Sequence, residues 1–148
     1  MKWIYNNITS KLIYFFKYLI KMTYQKKIMI VDDDENIYEM YRLKFEKEWF
    51  TVLVCKNGLI ALSKLTDFKP DLILLDIMMP EMNGFETLSA IKELTTTIDS
   101  KIIIFSNINN KNDIIKWMHI WADDYIVKAD VTPKEIVKKV KTMLWIED

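Results

Sequence analysis

From Lys27 onward, short apolar runs rich in β-branched residues alternate with longer stretches in which apolar side chains recur every three or four positions. The short runs predict strands at Ile28–Asp32, Thr51–Cys55, Asp71–Asp76, Lys101–Ser106 and Asp124–Val127. Each is mostly apolar, as a strand buried in a parallel sheet must be. The stretches between and after them carry helical stripes: Ile37, Tyr41 and Phe45; Leu62 and Leu65; Phe85, Leu88 and Ile91; Ile114, Met118 and Trp121; Ile136, Val140 and Met143. Five such strand and helix pairs predict an α/β domain whose amphipathic helices pack on a parallel sheet. Thr132-Pro133-Lys134-Glu135 marks the start of the last helix, with a capping hydroxyl, a proline at the first helical position and a carboxylate at the third. Asn83 to Glu86 is a weaker version of the same signal.

Residues 2–24 break this pattern. They are rich in aromatics and lysine, and Ile4, Ile8, Leu12, Phe15, Leu19 and Met22 fall near one helical face, which predicts an extra N-terminal amphipathic helix. A basic helix of this kind suits a membrane interface or a partner protein. Packing back on the domain is the plainer alternative, and a third is that residues 1–21 lie upstream of a start at Met22. The chain is accordingly divided into an N-terminal basic extension, 1–25, and a main domain, 26–148.

A length of 148 residues, about half of them apolar, suits one domain with a sizeable core. The net charge of zero conceals an uneven distribution. Residues 1–27 hold six lysines and no acid, which leaves 15 basic against 21 acidic residues, about −6, on 28–148. An acidic body argues against nucleic acid as a partner, because phosphate binding needs a basic footprint. One cysteine, Cys55, and one histidine, His119, exclude a disulfide framework and a Cys/His zinc site within the chain. His119 reads as a surface or packing residue. The same cysteine usage fits a reducing, cytoplasmic setting, and because no apolar run approaches the roughly 20 residues that span a bilayer and no cleavage site follows an N-terminal apolar stretch, the chain reads as neither secreted nor membrane-spanning. With Gly58 and Gly84 as the only glycines, neither a P-loop nor a dinucleotide fingerprint can be built.

In a sheet wound from repeated βα units, functional groups gather at the carboxyl ends of the strands. Here those ends are acidic: Asp32-Asp33-Asp34 close the first strand and Asp76 closes the third. If the two strands are neighbours, three or four carboxylates converge. Two such charges about 4 Å apart repel by roughly 4 kcal/mol at an effective dielectric near 20, a conflict that a divalent cation removes. Oxygen ligands without nitrogen or sulfur suit Mg²⁺. The alternative is that each aspartate merely caps the helix that follows. Ser106 ends the fourth strand with a hydroxyl and Lys128 follows the fifth with a cation. Alone, each is an ordinary strand-end residue; together they fall where a phosphoryl group on Asp76 could meet both.

From about Lys27 to Trp145 the chain resembles a response regulator receiver domain of two-component signalling. The resemblance rests on "IMIVDDDEN", "DLILLDIMMPEMNGFE", "IIIFSN" and "ADDYIVK". It implies a flavodoxin-like (βα)5 fold with strand order 2-1-3-4-5. It also implies a phosphoryl acceptor, Asp76, that takes its phosphate from a sensor histidine kinase or phosphotransfer protein. Asp33, Asp76 and the backbone carbonyl of Met78 would then ligate Mg²⁺, with Asp32 acting through water. Lys128 would offset charge on the phosphoryl oxygens, Ser106 would shift to bond the phosphate, and Tyr125 would turn inward behind it. The usual readout face is formed by the fourth helix, the fourth strand and the fifth strand. Three residues depart from the family pattern: Ala129 stands where proline commonly follows the lysine, Asn107 where a small residue follows the hydroxyl, and Trp121 where glycine is frequent. None removes a chemical group. The expected protein is a stand-alone phospho-accepting switch that acts on a downstream protein partner, with a homodimer as a further state and at most slow hydrolysis of its own phosphate. The competing classes are an interaction module independent of phosphorylation and a Mg²⁺-dependent phosphohydrolase. The second would need substrate-binding insertions and a second catalytic acid that are not apparent in the sequence.

Overall fold

The computed structural model describes residues 10–16, 19, 25–94, 99–108 and 122–146. Five parallel strands, β1 (Lys27–Val31), β2 (Thr51–Cys55), β3 (Leu72–Leu75), β4 (Lys101–Ser106) and β5 (Asp124–Val127), form one sheet in the order β2-β1-β3-β4-β5. Four α-helices of the main domain are described: α1 (Glu35–Lys47), α2 (Gly58–Phe68), α3 (Gly84–Leu94) and α4 (Pro133–Met143). The helix expected around Ile114, Met118 and Trp121 lies outside the described residues, as does His119. Of the predicted N-terminal helix, residues 10–16 and 19 are described; they are helical and exposed.

Alternation along the strands sorts the core into two layers. Ile28, Ile30, Leu72, Leu74, Ile103 and Phe105 meet Tyr41 and Phe45 of α1 and Ile136 and Val140 of α4 on one face. Met29, Val31, Ile73, Leu75, Ile102 and Ile104 meet Ala61 and Leu65 of α2 and Leu88 and Ile91 of α3 on the other. All four residues of β3, at the centre of the sheet, are buried, whereas the edge strands β2 and β5 are mostly half-buried. This is why the strand sequences are apolar on both faces rather than alternating.

The predicted caps form. Thr132 accepts from the Glu135 amide while the Glu135 carboxylate accepts from the Thr132 amide at 2.7 Å, a reciprocal pair with Pro133 at the first helical position. Asn83 does the same for α3: its Oδ1 accepts from the amides of Phe85 and Glu86, and the Glu86 carboxylate accepts from the Asn83 amide. Asp34 caps α1 by accepting from the amides of Asn36 and Ile37.

With only two glycines available, left-handed backbone falls on other residues: Trp49, Lys69, Glu81 and Trp145 all have positive φ. Trp49 and Trp145 occupy equivalent places just past α1 and α4. In each case the tryptophan amide and the amide after it turn back onto the last helical turn, Trp49 to Glu46 and Phe50 to Phe45, Trp145 to Thr142 and Ile146 to Lys141. These are two copies of the Schellman ending, built on a residue that favours it far less than glycine. The glycines themselves stand where space, not φ, is limiting. A Cβ on Gly84 would lie 2.1 Å from the Asp76 carbonyl oxygen, and one on Gly58 would lie 1.9 Å from Thr87 Oγ1.

Thr132→Ala removes a side-chain cap and is expected to lower unfolding free energy by about 1 kcal/mol, read as a shift of the urea midpoint without a change of slope. Gly84→Ala is expected to cost more, about 1–3 kcal/mol, because the atoms it meets are backbone and cannot swing aside.

Candidate functional site

Because β1 lies between β2 and β3, the first and third strands end side by side. The strands stop one residue earlier than expected, at Val31 and Leu75, yet the amides of Asp32 and Asp76 still donate to Cys55 O at 3.1 Å and Val31 O at 2.8 Å. Both aspartates are thus held in register at the strand ends. Carboxylate oxygens of Asp32, Asp33 and Asp76 lie within 4.8 Å of one another, Asp32 and Asp76 buried and Asp33 exposed. Asp34 is not part of this group. It serves as the α1 cap, so three carboxylates converge rather than four, and for this one residue the capping alternative holds.

Lys128 reaches into the cluster from the end of β5. Its Nζ donates to Asp32 Oδ2 at 2.6 Å and to Asp76 Oδ2 at 2.8 Å, and lies 5.6 Å from the centre of the Phe105 ring. Lys128 begins a 3-10 turn, Lys128–Asp130, and its peptide to Ala129 is trans; the departure from proline leaves the ammonium at the carboxylates. The other oxygen of Asp76 is fixed by the chain itself, accepting from the Ile77 amide at 2.6 Å and the Met78 amide at 3.2 Å. At Met78 the structure records this amide contact and an exposed side chain; a ligand role for its carbonyl rests on the resemblance. Gly84 closes the same loop by donating to Ile77 O at 3.0 Å, so the absent Cβ lets α3 start against the backbone of Asp76.

Ser106 ends β4 fully buried, and among the described residues its Oγ is the one buried side-chain polar atom without a hydrogen-bond partner. An unsatisfied buried hydroxyl costs about 1–3 kcal/mol. Tyr125 stands opposite Ile104, one step before Ser106 on the same face, and its hydroxyl donates to Ile108 O in the loop after β4. Asn107 is exposed. The structure therefore brings Asp32, Asp33, Asp76 and Lys128 into contact range and puts Ser106 and Tyr125 at the adjoining strand ends. The helix expected around Ile114, Met118 and Trp121, which belongs to the expected readout face, lies outside the described residues. Sequence reasoning missed the Phe105 ring beneath Lys128 and the close approach of Gly84 to Asp76. An aromatic one residue before the Ser106 hydroxyl is a signal, but only the fold shows which face it takes.

The family described as response regulator receiver domain matches residues 28–141. The chain belongs to that family. As a receiver it is similar to the phosphate regulon transcriptional regulatory protein PhoB of Pseudomonas aeruginosa, 36% identical over 119 residues, which are 80% of this chain and 52% of that protein. It is also similar to the DNA-binding response regulator MtrA of Mycobacterium tuberculosis, 33% identical over 122 residues, 82% of this chain and 52% of that protein. Among solved structures, a CheY-like receiver protein from Methanospirillum hungatei superimposes with a TM-score of 0.73 at 30% identity, covering 82% of this chain and 94% of that one. The response regulator TrrA from Thermotoga maritima, in complex with Mg²⁺ and BeF, does so with 0.68 at 33% identity, covering 80% and 98%. The receiver spans about half the length of the curated relatives it matches, and those are regulators of transcription or DNA-binding proteins. The expectation that nucleic acid is excluded as a partner is therefore not retained: the acidic balance of 28–148 speaks only for this segment.

The receiver's acidic pocket suits a divalent cation. Its donors are all oxygen, and three carboxylates against one ammonium leave about −2, the charge that Mg²⁺ neutralises. Burial raises the pKa of Asp32, and the nearby charge of Asp76 adds to this, against the lowering by Lys128. For Lys128, burial opposes the charge, but its bonds to Asp32 and Asp76 outweigh it and the pKa is raised. The two groups therefore act oppositely on stability. Lys128 stabilises the fold at all pH values below its unfolded pKa, about 10.4, and this is lost as pH rises through the higher folded value. Asp32 binds its proton more tightly when folded, so its penalty is present at neutral pH and relieved as pH falls through its folded pKa. In metal-free buffer, the urea midpoint of Asp32→Asn relative to wild type is expected to be higher near pH 7.5 than near pH 5; a relative midpoint that falls with rising pH would contradict this assignment.

Proposed function

We propose that this receiver takes a phosphoryl group on Asp76 from a sensor histidine kinase or phosphotransfer protein in the cytoplasm and thereby alters a protein-binding surface. The observation that carries the reading is the meeting of Asp32, Asp33, Asp76 and Lys128 in one pocket at the carboxyl end of the sheet. A carboxylate oxygen of Asp76 attacks phosphorus, the phosphorus–nitrogen bond of the donor phosphohistidine breaks, and the imidazole leaves with the bonding pair. The amides of Ile77 and Met78 hold the acceptor's other oxygen, so the nucleophile arrives oriented. Asp33, Asp76 and the Met78 carbonyl would hold Mg²⁺, with Asp32 through water; once bound, the ion offsets charge on the phosphoryl oxygens.

Transfer changes what Lys128 faces. It exchanges its bond to Asp76 for a phosphoryl oxygen while keeping Asp32, so the ammonium is never left unpaired. The unpartnered Ser106 hydroxyl supports the next step, because a phosphoryl oxygen is an acceptor that it otherwise lacks. Drawing Ser106 toward the phosphate opens space on the face it shares with Tyr125, whose ring turns inward and releases Ile108 O. The surface around β4 and β5 is then altered, and a downstream protein reads it. The receiver turns over no external substrate; slow hydrolysis of its own phosphate is the only enzyme-like step assigned.

Incubation with acetyl phosphate and Mg²⁺ is expected to add one phosphoryl mass to the intact chain, and Asp76→Asn or chelation of the metal is expected to abolish it. Lys128→Ala is expected to lower the labelling rate at least tenfold, while Ser106→Ala retains labelling and loses the phosphorylation-linked change in Tyr125 fluorescence or chemical shift. A folded, Mg²⁺-binding chain that gains no mass would favour a protein-interaction module that works without phosphate.

A further inference from the structure

The end of the sheet away from Asp76 carries a second set of features that phosphoryl transfer does not use. Trp49 and Trp145 end α1 and α4 in left-handed backbone, where glycine would be less strained, and both are exposed, Trp145 at 92%. With Gln25, Lys26, Phe50, Leu144, Ile146 and Glu48, whose carboxylate is paired with Lys141 at 2.8 Å, they line one cavity of about 190 Å³. Gln25 and Lys26 are the residues through which the N-terminal extension enters β1, and they are bonded to β2 there: Thr51 Oγ1 donates to Gln25 Oε1 at 2.9 Å, and the Thr51 amide to Lys26 O. The extension therefore joins the domain at the tryptophan-bearing end.

That extension is apolar and basic at once. Leu12, Ile13, Tyr14, Phe15 and Phe16 are consecutive, helical and all exposed. Five successive helical residues point in every direction around the axis, so a single groove on the domain would leave part of this run uncovered. The run lies between Lys11 and Lys17, and residues 1–27 contain six lysines without one acid. No helix among the described residues is long and apolar enough to cross a membrane. Short apolar runs flanked by lysines, with tryptophan and tyrosine nearby, match the interface of a bilayer, where aromatic rings sit at headgroup level and cations meet anionic lipid.

We propose that the basic N-terminal extension, through the exposed apolar helix of residues 10–16, and the tryptophan-bearing base of the sheet bind an anionic lipid surface. The occupant is fixed by charge: a basic segment on a body of about −6 meets negative lipid with its own positive end, while the acidic pocket is held away by the length of a five-residue strand, about 16 Å. Strain at Trp49 and Trp145 has a reason on this reading, since the large interfacial side chains stand where their backbone is least favoured. The phosphate-accepting end then faces away from the membrane, open to a donor protein.

Sedimentation of the full chain with vesicles tests this. Vesicles containing phosphatidylserine are expected to pull the protein down and pure phosphatidylcholine vesicles are not, with binding weakened at high salt. Lys11→Gln and Lys17→Gln should each lower partitioning about fivefold, and Phe15→Glu with Phe16→Glu should abolish it. Trp145→Gly separates binding from folding: thermal unfolding should occur at an equal or higher temperature because left-handed strain is relieved, while vesicle binding falls. Absence of binding to anionic vesicles overturns the proposal, as does binding that survives the paired Phe substitutions. Without vesicle binding, loss of a dimer in the paired variant would identify a second copy as the occupant, and a fall in its unfolding temperature would identify the domain itself.

Discussion

Three carboxylates within 4.8 Å of one another set the terms for the rest of this receiver. At an effective dielectric near 20, each pair repels by about 3 kcal/mol at that distance, and burial of Asp32 and Asp76 removes the water that would otherwise spread the charge. The fold meets this repulsion by bringing in one ammonium from a strand that is not a neighbour of either. Lys128 crosses over Phe105 to bridge Asp32 and Asp76, which ties β5 to the ends of β1 and β3. The bridge does not balance the charge: one cation against three anions leaves the pocket negative and suited to a divalent cation.

The backbone around the pocket holds Asp76 in place. The amides of Ile77 and Met78 point into Asp76, and Gly84 lets α3 begin against the Asp76 carbonyl. Reciprocal capping by Asn83 and Glu86 starts that helix without leaving amides unpaired. Ser106 and Tyr125, at the adjoining strand ends, are bonded differently: one hydroxyl has no partner among the described residues, and the other is engaged by a loop carbonyl outside the sheet.

The two ends of the sheet differ in chemistry as well as position. Acids collect at the carboxyl end, while the amino end carries ion pairs, Lys26 with Asp71 and Lys101 with Asp123, in which each carboxylate also accepts a strand amide. These pairs are largely exposed and contribute little to stability; their role is to seat β1 and β4 at their first residues. The scarcity of glycine is felt at this end, where tryptophan takes the left-handed position after both helices of one face.

Much of the architecture was legible because it rests on local patterns. Apolar runs, helical stripes and the Thr132 and Asn83 caps depend on neighbours in sequence, and three of the five strands have the predicted ends. The order 2-1-3-4-5 followed from resemblance to a family rather than from any run of residues, since strand order is decided by which faces pack. The site was legible as a set of residue types at strand ends, but sequence could not say which aspartates meet. Asp34 and Asp33 are adjacent in the chain, yet one caps a helix and the other faces the pocket, because the chain turns between them after β1. Likewise the contact of Lys128 with Asp76 spans 52 positions, and the unsatisfied state of Ser106 exists only once the core closes around it. Sequence by itself determined the elements and the chemical groups, because those are set by local preference and composition; the tertiary structure alone decided their partners, because contact between distant residues depends on how the strands are ordered and packed.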